Sequence, residues 1–342
     1  MTTGRLFIVF IHLVALSSFL VLPPASAQSQ PSLGGELVMG LSITGNIGSV
    51  YSIEATTNVG NSNGWICVAF VQLLSTNYLW IDNASPVRGQ RFYRANVSSP
   101  TNLVFIPPGG FRMGSPTNEP ADTIGLEQPQ TEVELTKGFY IGKYLVTQGD
   151  YLAVIGTNPS YFNTNHGFTA DLTRPVEMVS WEDATNYCAK RTELETAGDV
   201  IPPGSHYRPP SELEWEYACR ALTSTRFYYG DDPFYTNFTK YGWCTTNSGS
   251  VTQPVGLKPP NAWGLYDMAG NVWEWCDWFR QYPGGRLIDP QPADNPVGLR
   301  VMRGGSWSDP PANCRSAARF LNGSKNMRLQ NFGFRVVLVP SN

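Results

Sequence analysis

Hydrophobic and polar positions alternate in short bursts over the first hundred residues. Residues 41–44 and 51–56 place an apolar side chain at every second position, the period of a strand with one buried face. Residues 67–74 are apolar almost without a break and read as a buried strand. Residues 78–82 and 91–94 complete a set of five, with Gly, Asn and Ser in the breaks. This pattern predicts a small all-β, sandwich-like module over residues 35–98, with Cys67 a buried free thiol. Its expected role is attachment or spacing.

The pattern changes at residues 98–101. Apolar runs at 103–106, 111–114, 133–135 and 139–144 read as strands, the first two joined by a Pro-Pro-Gly-Gly turn. Three helices then announce themselves by their starts. Thr147 precedes Asp150, Ser180 precedes Asp183 and Ser211 precedes Glu214, each by three positions, the spacing of a capping box. The expected ends are near residues 155, 191 and 222. Glu212, Glu214 and Glu216 on the third helix are expected to face solvent, as acids on a helix mostly do. Residues 223–263 carry Gly, Asn, Pro and aromatics and read as a long ordered loop. Strands at 300–307 and 334–339 close the chain. The region 99–342 is thus an α+β domain with few helices, short strands and long ordered loops.

One stretch stands out within it. Residues 264–276 hold three aromatics, two carboxylates and a Gly270-Asn271 pair, which reads as strand, tight turn, strand. Asp267 and Glu274 flank the turn. Two carboxylates with the carbonyls of a glycine turn suit a hard cation such as calcium. A core hairpin with its acids in water fits the same spacing.

Composition narrows the class. Charged residues make up 15% of the chain, and there are 33 glycines and 27 prolines, which favours turns and irregular loops over long helices. A net charge of -3 offers no basic field, so nucleic acid is not an expected partner. Arg5, the apolar run 6–22 and the Ala25-Ser26-Ala27 site read as a signal peptide over 1–27. A short linker follows at 28–34. An uncleaved membrane anchor is the alternative for this run, and no later stretch could span a bilayer. The expected location is secreted, periplasmic or cell-surface, where disulfides are permitted.

Eight motifs, in order, then carry a resemblance. They are Phe111-Arg112-Met113-Gly114-Ser115, Lys143-Tyr144-Leu145-Val146-Thr147, and Arg174-Pro175-Val176 with Val179-Ser180-Trp181. Next come Glu212 with the run Glu214 to Arg220, and Asn261-Ala262-Trp263-Gly264-Leu265-Tyr266-Asp267. The last three are Gly270-Asn271-Val272-Trp273-Glu274-Trp275, Arg303-Gly304-Gly305-Ser306-Trp307, and Asn331-Phe332-Gly333-Phe334-Arg335. Residues 103–339 resemble the formylglycine-generating enzyme, or sulfatase-modifying factor, family. The resemblance implies a C-type-lectin-like fold with structural calcium. The ion would take the side chains of Asp267 and Glu274 and the carbonyls of Gly270 and Val272.

Active members of the family oxidise a sulfatase cysteine to formylglycine with copper and oxygen, holding Cu(I) on two cysteines after the Gly-Gly-Ser turn. Thiolates suit that soft ion. Here the first position holds Asp309 and the second has no clear counterpart, so the copper pair is unmatched. Another branch uses iron held by histidines, and outside the leader this chain has only His166 and His206. The resemblance places Ser306, Asp309 and Trp273 in the groove that receives the substrate cysteine. It implies a Cys219–Cys314 disulfide, while Cys188 stays free or pairs with Cys276. The expected function is an exported protein that keeps the fold and groove, lacks the copper pair, and binds a peptide, protein or glycan. An active formylglycine-generating oxidoreductase is the alternative.

Overall fold

All three hydroxyl-to-acid spacings form the helix starts they predict. In the computed structural model, which describes residues 39–82, 91–117, 119, 126–277, 282–291 and 298–341, Thr147, Ser180 and Ser211 each accept from the backbone of the residue three on. Each of the three acids returns a bond to its cap backbone. The proposed leader 1–27, the linker 28–34, and residues 35–38 and 83–90 of the first module lie outside the described residues. The chain divides into two compact units, ending at Ser98 and starting at Ser99.

The first unit holds β1 (Met39–Thr44), β2 (Val50–Thr56), β3 (Ile66–Gln72), β4 (Asn77–Asp82) and β5 (Phe92–Val97). β1 pairs antiparallel with β4, and β2 lies between β3 and β5. Leu41, Ile43 and Ile53 bury alternate positions that the period-two pattern marks, and Val71 and Leu73 from the apolar run 67–74 join them in one core. Two sheets sharing one core match the expected sandwich-like module. Glu54 is buried on β2, where Ser52, Arg94 and Asn96 satisfy it. Cys67 is free, and burial pushes its thiol up to about 12.

The second unit begins with β6 (Leu103–Ile106), β7 (Gly109–Met113), β8 (Thr131–Leu135), β9 (Phe139–Gly142), α1 (Gln148–Ile155), α2 (Trp181–Ala197), β10 (His206–Arg208), α3 (Glu212–Arg220) and the short α4 (Phe238–Tyr241). It continues with β11 (Trp273–Cys276), β12 (Arg286–Ile288), β13 (Leu299–Arg303), β14 (Arg319–Ser324), β15 (Phe332–Gly333) and β16 (Val337–Val339). Three sheets result: β10-β16-β9-β6, antiparallel throughout, and the mixed sheets β14-β13-β11-β15 and β12-β8-β7.

The fold departs from the sequence reading in several places. α2 runs six residues past 191, where Arg191 and Glu195 pair at 2.7 Å one turn apart. α3 stops at Arg220 because Ala221 and Leu222 both take left-handed backbone, with φ of 44° and 74°. Only the second arm of the 264–276 stretch is a strand. Asp267, Gly270 and Asn271 all have positive φ, and their backbone partners come from elsewhere. Gly270 N–H donates to Gly304, and Asn271 N–H donates to Trp243. Of the expected closing strand 334–339 only β16 forms, from Val337; β15 ends just before that range, and Arg335 lies buried between the two.

The largest correction concerns α3. All nine of its residues are buried, the three glutamates included. Glu214 takes both guanidinium ends of Arg208 at 2.7 Å. Glu212 meets Arg319 and Arg303, and Glu216 meets Arg303 and Arg220. Burial pushes the Glu216 carboxyl up, and Arg303 and Arg220 overcome it, so the group lies below its ordinary value. The helix is an ionic axle of the domain and not a surface element.

Candidate functional site

The Gly304-Gly305 turn after β13 turns the chain sharply, with φ of 92° and 73°, and delivers Ser306 and Asp309 to one point. Asp309 Oδ2 accepts from the Ser306 hydroxyl and from Trp273 Nε1, the latter at 2.8 Å. Asp309 Oδ1 accepts from Asn313 at 3.1 Å. Asn331 donates to Ser306 at 3.2 Å and to Ser308 at 3.1 Å. The three residues assigned to the groove are therefore neighbours in one hydrogen-bonded cluster. Ser306 and Trp273 are buried, Asp309 is half-buried, and Ser308 and Asn313 are exposed. Sequence reasoning did not assign Ser308, Asn313 and Asn331 to the cluster. Asn331 had a signal, since it opens the last of the eight motifs.

The long loop 223–263 supports this cluster through hydrogen bonds. Thr245 N–H donates to Asp309 O, Ser248 Oγ donates to Trp307 O, and the Gln253 backbone exchanges two bonds with the Asn271 side chain. Trp307 meets Phe162 edge-on at 5.5 Å between ring centroids. His166 packs on Tyr161, and His206 lies on β10. A separate cavity of about 380 Å³ includes Leu135, Phe139, His206 and Arg208 in its lining, and there Arg208 is already paired with Glu214.

Asp267 and Glu274 are both buried, with different surroundings. Asp267 Oδ2 accepts from Gly256 N–H at 2.7 Å, while Oδ1 is buried with no hydrogen-bond partner. Burial pushes this carboxyl up to about 6, against the Gly256 N–H and Arg335. A buried oxygen without a donor is the place where a cation would be favoured. Glu274 already faces Arg335, which approaches both of its oxygens. Among the described residues no group of three or more His, Cys, Asp or Glu side chains is arranged for a metal. A calcium ion here would therefore draw on carbonyls, and the residues fit it well at Asp267 and in competition with Arg335 at Glu274.

The cysteines depart from expectation. All six are free and buried. Cys219 and Cys314 are not bridged, because the group facing Cys219 is Ser316, with Sγ and Oγ 3.6 Å apart. Cys314 closes the short helical turn Pro311–Cys314 and directs its thiol toward Pro310 O at 3.9 Å. Burial, with Asp309 and Cys244 nearby, holds it well above the usual thiol range. Cys188 and Cys276 are likewise unpaired. The substitution Ser316→Cys is expected to create a disulfide between the introduced thiol and Cys219 under oxidising conditions. It would close a loop of nearly a hundred residues and stabilise by roughly 4 kcal/mol. Non-reducing peptide mapping checks it, and a linked fragment joining Cys219 to Cys314 instead would reverse the assignment.

Comparison with known proteins agrees with this architecture. The family model described as "Sulfatase-modifying factor enzyme 1-like domain" matches residues 90–339. A formylglycine-generating enzyme from Bos taurus is 29% identical over 299 residues, covering 70% of this chain and 75% of its own length. An inactive C-alpha-formylglycine-generating enzyme 2 from Bos taurus is 34% identical over 181 residues, covering 49% of this chain and 52% of its own. The solved structure of Treponema denticola variable protein 1 matches with a TM-score of 0.59 at 27% identity, over 74% of this chain and 97% of that one. With its matched region spanning most of the chain, this protein belongs to the sulfatase-modifying factor, or formylglycine-generating enzyme, family.

Proposed function

We propose that this chain is an exported binding member of the family. Its Asp309 cluster would receive a peptide, protein or glycan segment without oxidising it. The observation that carries the reading is Asp309 itself. A hard carboxylate, held by Trp273, Ser306 and Asn313, stands where active members place a thiolate for Cu(I). The nearby thiol, Cys314, is buried and points to a backbone carbonyl.

Cu(I) competition titration tests it. The reduced protein is expected to take up no tightly held copper, whereas Asp309→Cys is expected to gain affinity by adding a thiolate. Tight stoichiometric copper in the wild type, lost on Asp309→Asn, would overturn the reading. Export is tested separately: sequencing the mature N-terminus should start at Gln28, and an intact Met1 or Thr2 start would contradict it. Among the described residues no helix is long and apolar enough to cross a membrane.

A structural calcium ion belongs to the same proposal, on Asp267, Glu274 and the carbonyls of Gly270 and Val272. The unused Asp267 Oδ1 supports it. Chelation is expected to lower the melting temperature, since calcium at a hundred times its Kd would stabilise by about 2.7 kcal/mol. An unchanged melt, with no calcium by elemental analysis, removes the site.

A further inference from the structure

The Asp309 cluster has a charge imbalance that its neighbours lack. Glu212, Glu216, Glu274 and Glu127 each face an arginine. Asp309 is held only by neutral donors: an indole, a hydroxyl and an amide. Among the described residues no lysine, arginine or histidine forms an ion pair with it. A carboxylate offers about four acceptor positions. Oδ2 uses two, on Trp273 and Ser306, and Oδ1 uses one, on Asn313. One acceptor position and a whole negative charge are left over on this half-buried side chain, whose neighbours Asn313 and Ser308 are exposed.

We propose that the ligand places a primary ammonium group, such as a lysine side chain, against Asp309 Oδ1. A single free acceptor position suits a compact ammonium that needs one strong charged bond. It does not suit a guanidinium fork, which takes two parallel acceptors. The Ser308 hydroxyl and the Asn331 amide oxygen can supply further acceptors at the rim. An ammonium drawn from water into this half-buried place replaces its solvation with a charge-assisted bond. The carboxylate, without a cation in the chain itself, gains its counter-charge only from the ligand. The inference rests on the binding reading above, with a peptide as ligand.

A randomised bead library of N-acetylated peptides tests it, screened with the fluorescently labelled full-length protein. The enriched sequences are expected to share a lysine, and replacing that lysine by norleucine should weaken binding about tenfold or more, the scale of one charged hydrogen bond. Replacing it by arginine should recover only part of the loss. Asn313→Lys, at an exposed position, would supply the cation within the chain and should cost the same factor with an unchanged thermal melt. Asp309→Asn, which removes the charge, should weaken binding by the same factor. Enriched peptides without lysine, or equal binding by wild type and Asn313→Lys, would overturn the ammonium inference and leave peptide binding standing. Complete absence of enrichment would overturn the peptide reading and this inference with it. A parallel library with free N-termini separates the two ammonium sources, since binding there without lysine assigns the group to the chain terminus.

Discussion

Replacing Glu216 by alanine is expected to destabilise the second unit by roughly 3–5 kcal/mol, the cost of orphaning a buried charge partner. Glu216 is fully buried. Its Oε1 accepts from Gly114 N–H at 2.8 Å and from Arg220 Nε at 2.9 Å, and its Oε2 faces Arg303. Arg303 is also fully buried, and its other ionic contact is with Glu212 Oε1 at 3.2 Å. Glu212 is already shared with Arg319. Removing Glu216 therefore leaves buried Arg303 to share Glu212 with Arg319, and takes from buried Arg220 its carboxylate partner. Glu132, exposed and 3.5 Å from Arg112, is the control, and its alanine variant should lose less than about 1 kcal/mol. Urea unfolding of the two variants measures the contrast. Equal midpoints would show that the ionic axle adds nothing to stability.

Gly270→Ala is expected to be comparably severe. Gly270 has φ of 86°, and a Cβ there would collide with the Trp243 carbonyl, 2.7 Å from its carbon and closer still to its oxygen. The left-handed backbone costs an alanine roughly 1–2 kcal/mol, and forcing a methyl into packed surroundings adds roughly 1–3 kcal/mol. The obstacle is main chain, which cannot rotate away. Movement of Gly270 would also break its bond to Gly304 and the Asn271 contact with Trp243. Those contacts join the proposed calcium turn to the Gly304-Gly305 turn that positions Ser306. Thermal melting should therefore fall, and ligand binding at Asp309 should fall with it. A melt within a degree or two of wild type would mean that this junction is softer than its geometry implies.

Local signals in the chain were legible and distant ones were not. A capping box is complete within four residues, so all three helix starts could be seen from Thr147, Ser180 and Ser211. The alternation in residues 41–44 and 51–56 records a burial that each strand senses alone. Glu212 and Glu216 of α3 look like solvent-facing acids locally, because Arg303 and Arg319, which meet them in the core, arrive 87 and 107 residues later. Arg208 and Arg220 are near in sequence, but nothing local marks them as buried partners. The Gly270-Asn271 pair announced a turn correctly, but the turn bonds to Trp243 and Gly304 and not to an adjoining strand. The same limit explains the cysteines. The chain between Ser306 and Arg319 is irregular, so spacing does not tell which side chain faces Cys219. The structure turns Ser316 toward it and Cys314 away. At the candidate site, the motifs led to Ser306, Trp273 and Asp309, while Ser308 and Asn313 lie in the irregular stretch after the Arg303–Trp307 motif and carried no signal.

Whether the Asp309 cluster binds or oxidises is decided most directly by a turnover assay. The purified, reduced protein is loaded with Cu(I) and incubated in air with a Cys-x-Pro-x-Arg peptide, and the product is read by mass spectrometry for conversion of cysteine to the aldehyde. The account predicts unreacted peptide at every copper level. Copper-dependent formation of formylglycine, abolished by Asp309→Asn, would contradict it.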